Sequence, residues 1–488
     1  MSRRSPRPSV AALDTTAPSP DAPTETTKRL LPWLVAVAFF MQSLDTTILN
    51  TAVPAIAQAM NVTPLGMKSV LASYTLSLAV FIPISGWMAD RFGTRRVFAS
   101  AIGLFSLGSL LCGLAVDINM LVACRVLQGM GGAMMVPVGR MTMVRTFPKS
   151  ELVIAMSFVS VPSLVGPMLG PLLGGLIVHF LNWRIVFLVN LPVGVIGLYL
   201  VWRFLPDYSE DNTNPLDVVG LVLFGSGVAL LSYVLEIFGE HRLSDLEILG
   251  LLGLSMALLA GYGVNAMHTR YPLLHLSLFR LRTFRAAVGG SFFSRLGLGG
   301  IPFLFPLLYQ IGLGFSAVQS GLLVMPQALA AMGLKLIVPK ILARFGYRTV
   351  LVANTLILGV LIMGFATIDV GTPLWRIALQ SFILGFFTST QYTAMNTLVY
   401  ADVTAEDTSA ASTIASTGQQ MSISFGVASA SLIAASFVPD SLRSDPAALI
   451  HGVHLAFITL GLMTIAASGI FVPLRKDDGG AISRHRSQ

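Results

Sequence analysis

The chain is predicted to fold as an all-α polytopic membrane protein: two six-helix bundles with a two-helix hairpin inserted between them, fourteen membrane-crossing helices in all. Three observations carry this expectation. Hydrophobic residues make up 54% of the 488 positions and charged residues only 11%, against about 25% charged in a soluble domain, and mean hydropathy is +0.76. The gaps between polar turns hold roughly 20 apolar residues each, the length that crosses a bilayer as a helix. Finally, the turn Arg91-Phe92-Gly93-Thr94-Arg95 returns as Arg344-Phe345-Gly346-Tyr347-Arg348. A membrane hairpin repeated with its connecting loop points to duplicated bundles, the usual plan of a carrier that rocks about a central site.

Residues 1–29 form a tail rich in Pro, Ser, Thr and Ala, without the apolar core of a signal peptide, and are expected to be disordered and cytoplasmic. The first bundle, 30–206, holds spans at roughly 31–56, 68–89, 97–116, 120–144, 152–178 and 184–205. The polar run Pro206-Asp207-Tyr208-Ser209-Glu210-Asp211 marks a boundary, and the hairpin of 207–267 follows with spans at roughly 217–238 and 245–267. The second bundle, 268–475, holds roughly 285–312, 317–340, 350–369, 374–400, 408–437 and 452–473, leaving 476–488 as a second tail. Aligning the repeated turns pairs the first six spans with the last six. The hairpin is then the insertion.

The net charge of +8 has a topological explanation. Of the 31 Lys and Arg, 23 fall in tails and loops on one side, 5 on the other and 3 within spans. That is the positive-inside pattern, which makes the basic side, with both termini, cytoplasmic, and places the protein in a cell inner membrane. The basic residues are scattered among loops rather than gathered on one face, which excludes a nucleic-acid partner. Cys112 and Cys124 are the only cysteines and fall in or near spans, so neither a disulfide framework nor a metal site is expected. The loops are too short for a soluble catalytic domain, the seven histidines are scattered, and no Gly-Lys dipeptide offers a phosphate-binding loop. An enzyme is not expected, nor a cofactor. Uphill movement would draw on an ion gradient.

Four motifs in order carry a family resemblance. The first span has Leu44-Asp45-Thr46-Thr47-Ile48-Leu49-Asn50 with Pro54 after it. The loop after the second reads Gly86-Trp87-Met88-Ala89-Asp90-Arg91-Phe92-Gly93-Thr94-Arg95-Arg96. The fourth has Arg125-Val126-Leu127-Gln128-Gly129-Met130-Gly131-Gly132, and the fifth has Gly166-Pro167-Met168-Leu169-Gly170-Pro171 with Gly174-Gly175. From about Leu31 to Arg475 the chain resembles the major facilitator superfamily, and within it the fourteen-span drug:proton antiporters. The resemblance implies that fold, antiport, and coupling roles for Asp45 and Arg125.

Physical readings stand beside the resemblance. Asp45, Arg125, Arg295 and Lys335 are ionisable residues inside spans, each costing ~2.5–3.5 kcal/mol at mid-bilayer. A carboxylate withdrawn from water takes up a proton more readily, which suits Asp45 to proton coupling; a permanent salt bridge with Arg125 is the alternative. Arg295 and Lys335 fall at similar depth on consecutive antiparallel spans, without an equally deep acid in their half. They read as an anion site or as cations held by backbone carbonyls. Gln42, Asn50, Gln391, Tyr392, Asn396, Gln419 and Gln420 line the expected cavity or glue helices together. Gly86, Asp90, Arg91 and Arg95, with Arg344 and Arg348 in the second copy, read as a cytoplasmic latch. Ala343 stands where Asp90 would be and Pro339 where Gly86 would be, so the latch belongs mainly to the first half. In the fifth span Gly166, Gly170 and Gly174 share one stripe and Pro167 and Pro171 bend the helix, a packed interface that serves as an antiporter hinge.

The expected activity is proton-coupled export by alternating access, acting on lipophilic drugs or related small molecules. The alternative substrate is a small anionic metabolite or a metal–carboxylate chelate such as citrate, favoured by Arg295 and Lys335. A non-transporting membrane sensor is the alternative of another class, disfavoured by the short tails. The partners expected are the substrate and the lipid bilayer, for a monomer open to association with accessory efflux proteins.

Overall fold

The structure is a computed structural model that describes residues 25–147, 149–210, 213–237, 244–333, 337–404, 407–437, 446–475 and 477–479. The first set of helices is α1 (Glu25–Ala59), α2 (Lys68–Phe92), α3 (Thr94–Gly113), α4 (Ile118–Thr146), α5 (Lys149–Phe180), the short α6 (Ile185–Leu188) and α7 (Asn190–Phe204). The inserted pair is α8 (Val218–Ile237) and α9 (Asp245–His268). The second set is α10 (Arg282–Gly299), α11 (Ile301–Pro306), α12 (Ala317–Gly333), α13 (Val338–Phe345), α14 (Tyr347–Gly364), α15 (Leu374–Leu398), α16 (Thr408–Ser436) and α17 (Pro446–Ala467). No strand occurs among the described residues.

Ten of these helices are long and apolar enough to cross a membrane, or eleven if α12 and α13 form one bent span. The fourteen expected from sequence are therefore only partly met on length and composition. The shortfall has a physical cause in α15 and α16, which run to 25 and 29 residues but carry Ser, Thr and Gln throughout. Helices that face a seam rather than lipid need not be apolar all round.

Two expected spans each run as one, Arg282–Gly312 and Ile185–Phe204, but carry a local irregularity in the helix. The one expected at 285–312 stops at Gly299, resumes as α11, and ends in a π-helical turn at Leu307–Gly312. Pro302 and Pro306 supply no backbone N–H there, so the regular ladder cannot continue. The span expected at 184–205 is likewise split between α6 and α7 at Val189.

Packing repeats between the two sets. In the first, α1 lies along α5, α2 on α4, and α3 on α4 and α7. In the second, α10 lies along α16, α12 on α15, and α14 on α15 and α17. The repeated basic turns also share a backbone: Gly93 and Gly346 sit at φ 92° and 74°, a region that favours glycine. Across the seam, α2 meets α16 and α5 meets α12, while α8 touches both α2 and α16. The inserted hairpin thus leans on the seam itself.

The seam is closed at the end remote from the basic turns. There Gln310 Nε2 donates to the Thr51 carbonyl at 2.9 Å, Ser431 Oγ to that of Leu65 at 3.0 Å and Ser424 Oγ to that of Ala72 at 3.1 Å. A single apolar core at this end draws Leu49 and Ile56 from the first set together with Leu304 and Leu308 from the second. Towards the basic end the cores are separate, one around Phe98 and Met135 and the other around Phe284 and Leu351. This is a state sealed at the end remote from the basic turns.

Candidate functional site

Asp45 lies 14 residues beyond Leu31, or ~21 Å of helix rise, on the face of α1 turned into its own bundle. It is 1% exposed and Arg125, on α4, is also 1% exposed. Arg125 Nη1 donates to Asp45 Oδ2 at 2.6 Å and to Gln128 Oε1 at 2.7 Å. The second carboxylate oxygen accepts from Gln128 Nε2 at 2.8 Å and from Asn190 Nδ2 at 3.1 Å. Gln128 and Asn190 both donate to Ser109 Oγ at 3.3 and 3.2 Å, and that hydroxyl donates to the Phe187 carbonyl at 2.8 Å. The Arg125 guanidinium stacks 4.2 Å from the Tyr74 ring centroid. Side chains of α4 and α7 thereby meet on the carboxylate of α1, and α3 joins them through Ser109. Such partners help a buried pair keep its charges, although Arg125 Nε is buried without a hydrogen-bond partner among the described residues.

The chamber expected from sequence, with Asp45 and Arg295 open to one pool of water, is not what this state contains. Asp45 is drawn inward by donors from α4 and α7. Arg295, 3% exposed on α10, donates through Nε to Ser291 Oγ at 3.0 Å and lies 3.6 Å from the Tyr392 ring centroid. It makes no ion pair with any described acid. Lys335, its expected companion, lies outside the described residues. Tyr392, also expected at the cavity, lies against Arg295, whereas Gln391 is on the α14 side of α15. It is fully buried between α14 and α15, accepting from Asn354 Nδ2 and donating to Thr355 Oγ1, each at 2.8 Å.

Gln42 and Asn50 are half-buried on one stripe of α1, together with Thr46 between them. Thr46 Oγ1 donates to the Gln42 carbonyl and Asn50 Nδ2 weakly to that of Thr46, while Gln42 Oε1 is buried without a partner. Asn396 is exposed on α15, and Gln419 and Gln420 are half-buried on α16.

At the basic end, Asp90 accepts from Arg145 Nη2 at 2.8 Å, and the same nitrogen reaches Glu210 Oε1 at 2.7 Å. The 206–210 segment runs as a strap over the α2–α3 turn. Thr94 N donates to the Tyr208 carbonyl at 3.0 Å, Glu210 N to the Asp90 carbonyl at 2.9 Å, and Arg95 N to Asp207 Oδ1 at 3.1 Å. Arg95 and Arg96 also approach Asp207 at 3.7 and 3.9 Å, whereas Arg91 is exposed. A Cβ on Gly86 would meet nothing within 4 Å. The contacts around the expected latch residues thus lie within the first set and its following segment, with Arg145, Asp207 and Glu210 as the partners. The second copy does not join them: Arg344 and Arg348 form no ion pair with a described acid, because Ala343 replaces the carboxylate.

The α5 stripe is packed against α1. A Cβ on Gly166 would lie 2.8 Å from Ser43 Cβ, one on Gly170 2.8 Å from Thr47 Cβ, and one on Gly174 against the Ile48 carbonyl. Close approach lets Thr47 Oγ1 donate to the Gly166 carbonyl and Thr51 Oγ1 to that of Pro171, both at 3.2 Å. Threonines of α1 thus add bonds to α5's carbonyls across this close contact.

Sequence reasoning passed over Gln128, Asn190, Ser109, Arg145, Asp207 and Glu210. Gln128 was findable, since it follows Arg125 by three and shares its helical face. Asn190 carries no charge and no periodic signal.

Residues 35–427 match the family described as Major Facilitator Superfamily. A relative from Serratia proteamaculans (strain 568), named "Putative multidrug resistance protein MdtD", is 41% identical over 426 residues, 87% of this chain and 88% of its own. One of the same name from Escherichia fergusonii is 41% identical over 456 residues, covering 93% and 97%. Among solved structures, a bacterial homolog of the human lysosomal transporter Spinster, inward-facing and unoccupied, is similar at TM-score 0.66 and 15% identity, over 95% of this chain and 100% of that one. A D-xylose-proton symporter is similar at TM-score 0.65 and 15% identity, over 93% and 99%. At such identities the solved structures speak for the fold alone.

Proposed function

This chain belongs to the Major Facilitator Superfamily of multi-pass membrane transporters, and we propose that it is a proton-coupled antiporter exporting small molecules from the cytoplasm. The observation that supports this best is the Asp45 cluster, an ionisable carboxylate and its arginine held at depth by Gln128, Asn190 and Ser109. A proton delivered to Asp45 weakens its attraction to Arg125, loosens α1 from α4 and α7, and biases the bundles towards the other state. The bundles of 30–206 and 268–475 rock as units, with α5 against α1 as the hinge and Asp90–Arg145 as the cytoplasmic latch. The protein sits in the inner membrane with both termini cytoplasmic, needs no cofactor beyond the gradient, and works as a monomer open to accessory efflux proteins. The relatives' multidrug name and the half-buried Gln42, Asn50 and Tyr392 support a lipophilic substrate.

Arg295 favours a second reading of the substrate. A buried guanidinium stacked on Tyr392 without a described acid partner attracts a carboxylate or phosphate, and a small anionic metabolite or metal–carboxylate chelate would satisfy it. Proteoliposomes with a preset pH gradient test both readings, with ethidium and citrate as probes. Substrate-dependent collapse of the gradient that disappears in Asp45→Asn is expected. Full collapse in that variant removes Asp45 from coupling. Arg295→Ala should weaken the anion more than the cation, and the opposite order removes the anion reading.

A further inference from the structure

The second basic turn differs from the first in what surrounds it. Arg95 and Arg96 have Asp207 beside them, but Lys340, Arg344 and Arg348 form no ion pair with any described acid. They flank the mouth of a cavity of about 210 Å³ formed by α13, α14 and α15. Ile341, Phe345, Ala353, Ile357 and Phe386 give it an apolar wall, and Arg344 lies 5.6 Å from the ring of Phe345. Its polar lining is largely engaged within the protein, with Asn354 Nδ2 donating to Gln391 and to the Phe387 carbonyl and Thr390 Oγ1 to the Phe386 carbonyl.

This cavity opens outward rather than into the seam. Helix α14 packs on α13, α15 and α17 of its own set. Its exposed residues Thr349, Ala353, Leu356, Ile357 and Val360 form one stripe, with Val360 62% exposed. Such an apolar stripe faces hydrocarbon. The turn at its end carries the unpaired cations at the level of the headgroups of the cytoplasmic leaflet, where anionic lipids gather.

We propose that Lys340, Arg344 and Arg348, with the groove between α13, α14 and α15, bind an anionic phospholipid of the cytoplasmic leaflet. The phosphate sits among the three cations and an acyl chain lies along Ile341, Ala353 and Ile357. An apolar groove alone would take any acyl chain, and a basic turn alone would take any anion. Their junction selects a molecule that is both. Neither feature enters the coupling scheme above, so the inference stands or falls independently of it.

The full-length protein, purified and delipidated in detergent, is incubated with phosphatidylglycerol or phosphatidylcholine, and retained lipid is counted by native mass spectrometry. Retention of phosphatidylglycerol several-fold above phosphatidylcholine is expected. The triple variant Lys340→Gln/Arg344→Gln/Arg348→Gln should fall to the phosphatidylcholine level. Ala353→Trp fills the groove and leaves every charge in place, and should lose phosphatidylglycerol as well; Thr349→Phe serves if that variant elutes as aggregate. Removing cytoplasmic charge elsewhere, as Arg270→Gln/Arg280→Gln, should leave retention unchanged. Equal retention of the two lipids, a groove variant that binds like the parent, equal loss in the remote control, or displacement of the lipid by inorganic phosphate would each overturn the proposal.

Discussion

Removing the Asp45 charge tests whether the cluster is a working ion pair or an ornament of packing. In Asp45→Asn the guanidinium of Arg125 stays ionised and buried, having lost its 2.6 Å partner. Breaking one side of a buried pair typically costs ~3–5 kcal/mol, because the other charge is left uncompensated. Arg125 keeps Gln128 Oε1 at 2.7 Å and the Tyr74 ring at 4.2 Å, which places the expected loss at the low end, about 3 kcal/mol. Arg125→Gln strands the carboxylate instead, leaving only the Gln128 and Asn190 amides. The double variant Asp45→Asn/Arg125→Gln has no stranded charge, and its amides can pair with those of Gln128 and Asn190. Its cost should fall below the sum of the singles by at least ~2 kcal/mol. The assay is equilibrium unfolding of the four proteins in one mixed-micelle system, with proton-linked uptake measured on the same preparations. Singles that cost under ~1 kcal/mol and simply add would refute the argument. The two groups would then be independently solvated, and protonating one could not act on the other.

Three further outcomes follow from the same geometry. Gly170→Leu drives a side chain into Thr47 and should destabilise the α1–α5 contact by ~1–3 kcal/mol; cross-linking rates between cysteines placed at Ser43 and Val165 will show any separation. Asp207→Ala removes the acceptor of the Arg95 amide and the counter-charge of Arg95 and Arg96, so amide exchange in 206–210 should quicken several-fold; unchanged exchange would mean that the bonds of Thr94 and Glu210 hold the strap without Asp207. Asp478 is partly buried, which raises its carboxyl, but bonds from Arg282 and the Arg475 amide outweigh this and hold it below the usual range. A depressed folded value means the contact stabilises above the unfolded carboxylate value of about 4 and is lost as pH falls through the lower folded one. Exchange protection around Arg475 should fade only in that acid window, and Asp478→Asn should remove the pH dependence.

The helices were legible because apolar runs bounded by polar turns declare their length, and the duplication because Gly93 and Gly346 serve the same turn. Asp45 and Arg125 announced themselves as charges where charge is costly. What escaped was neutral or distant. Asn190 reaches Asp45 across 145 positions, and nothing in the amide's neighbourhood along the chain hints at that partner. Glu210 and Asp207 read as linker polarity, yet fold back onto the turn at 90–96. Gln391 looked equivalent to Tyr392, but adjacent positions on a helix face different ways: one ties α15 to α14 and the other lies under Arg295. The interruptions at Gly300 and Val189 were hidden because apolar composition does not register a local lapse in the helical hydrogen-bond ladder.

The contrast between the two ends of the seam bears on how a gradient can drive it. At the outer end the bundles share a core and are stitched by Gln310, Ser431 and Ser424 to backbone carbonyls. Each such bond contributes a net ~0.5–1.5 kcal/mol, and none is an ion pair. At the basic end Gly86 faces open space, although its stripe has the small-residue character of a close contact, and the Asp90–Arg145–Glu210 charges are held within the first set. Opening outward therefore trades a few neutral bonds and apolar packing at one end for close packing at the other, with no buried charge exposed in the exchange. A trade of that kind leaves a small difference between the states. A proton crossing 100 mV releases ~2.3 kcal/mol, comparable with the loss of two or three of those hydrogen bonds. In the proposed cycle the one expensive rearrangement, parting Asp45 from Arg125, is the step that protonation of the carboxylate would make cheaper.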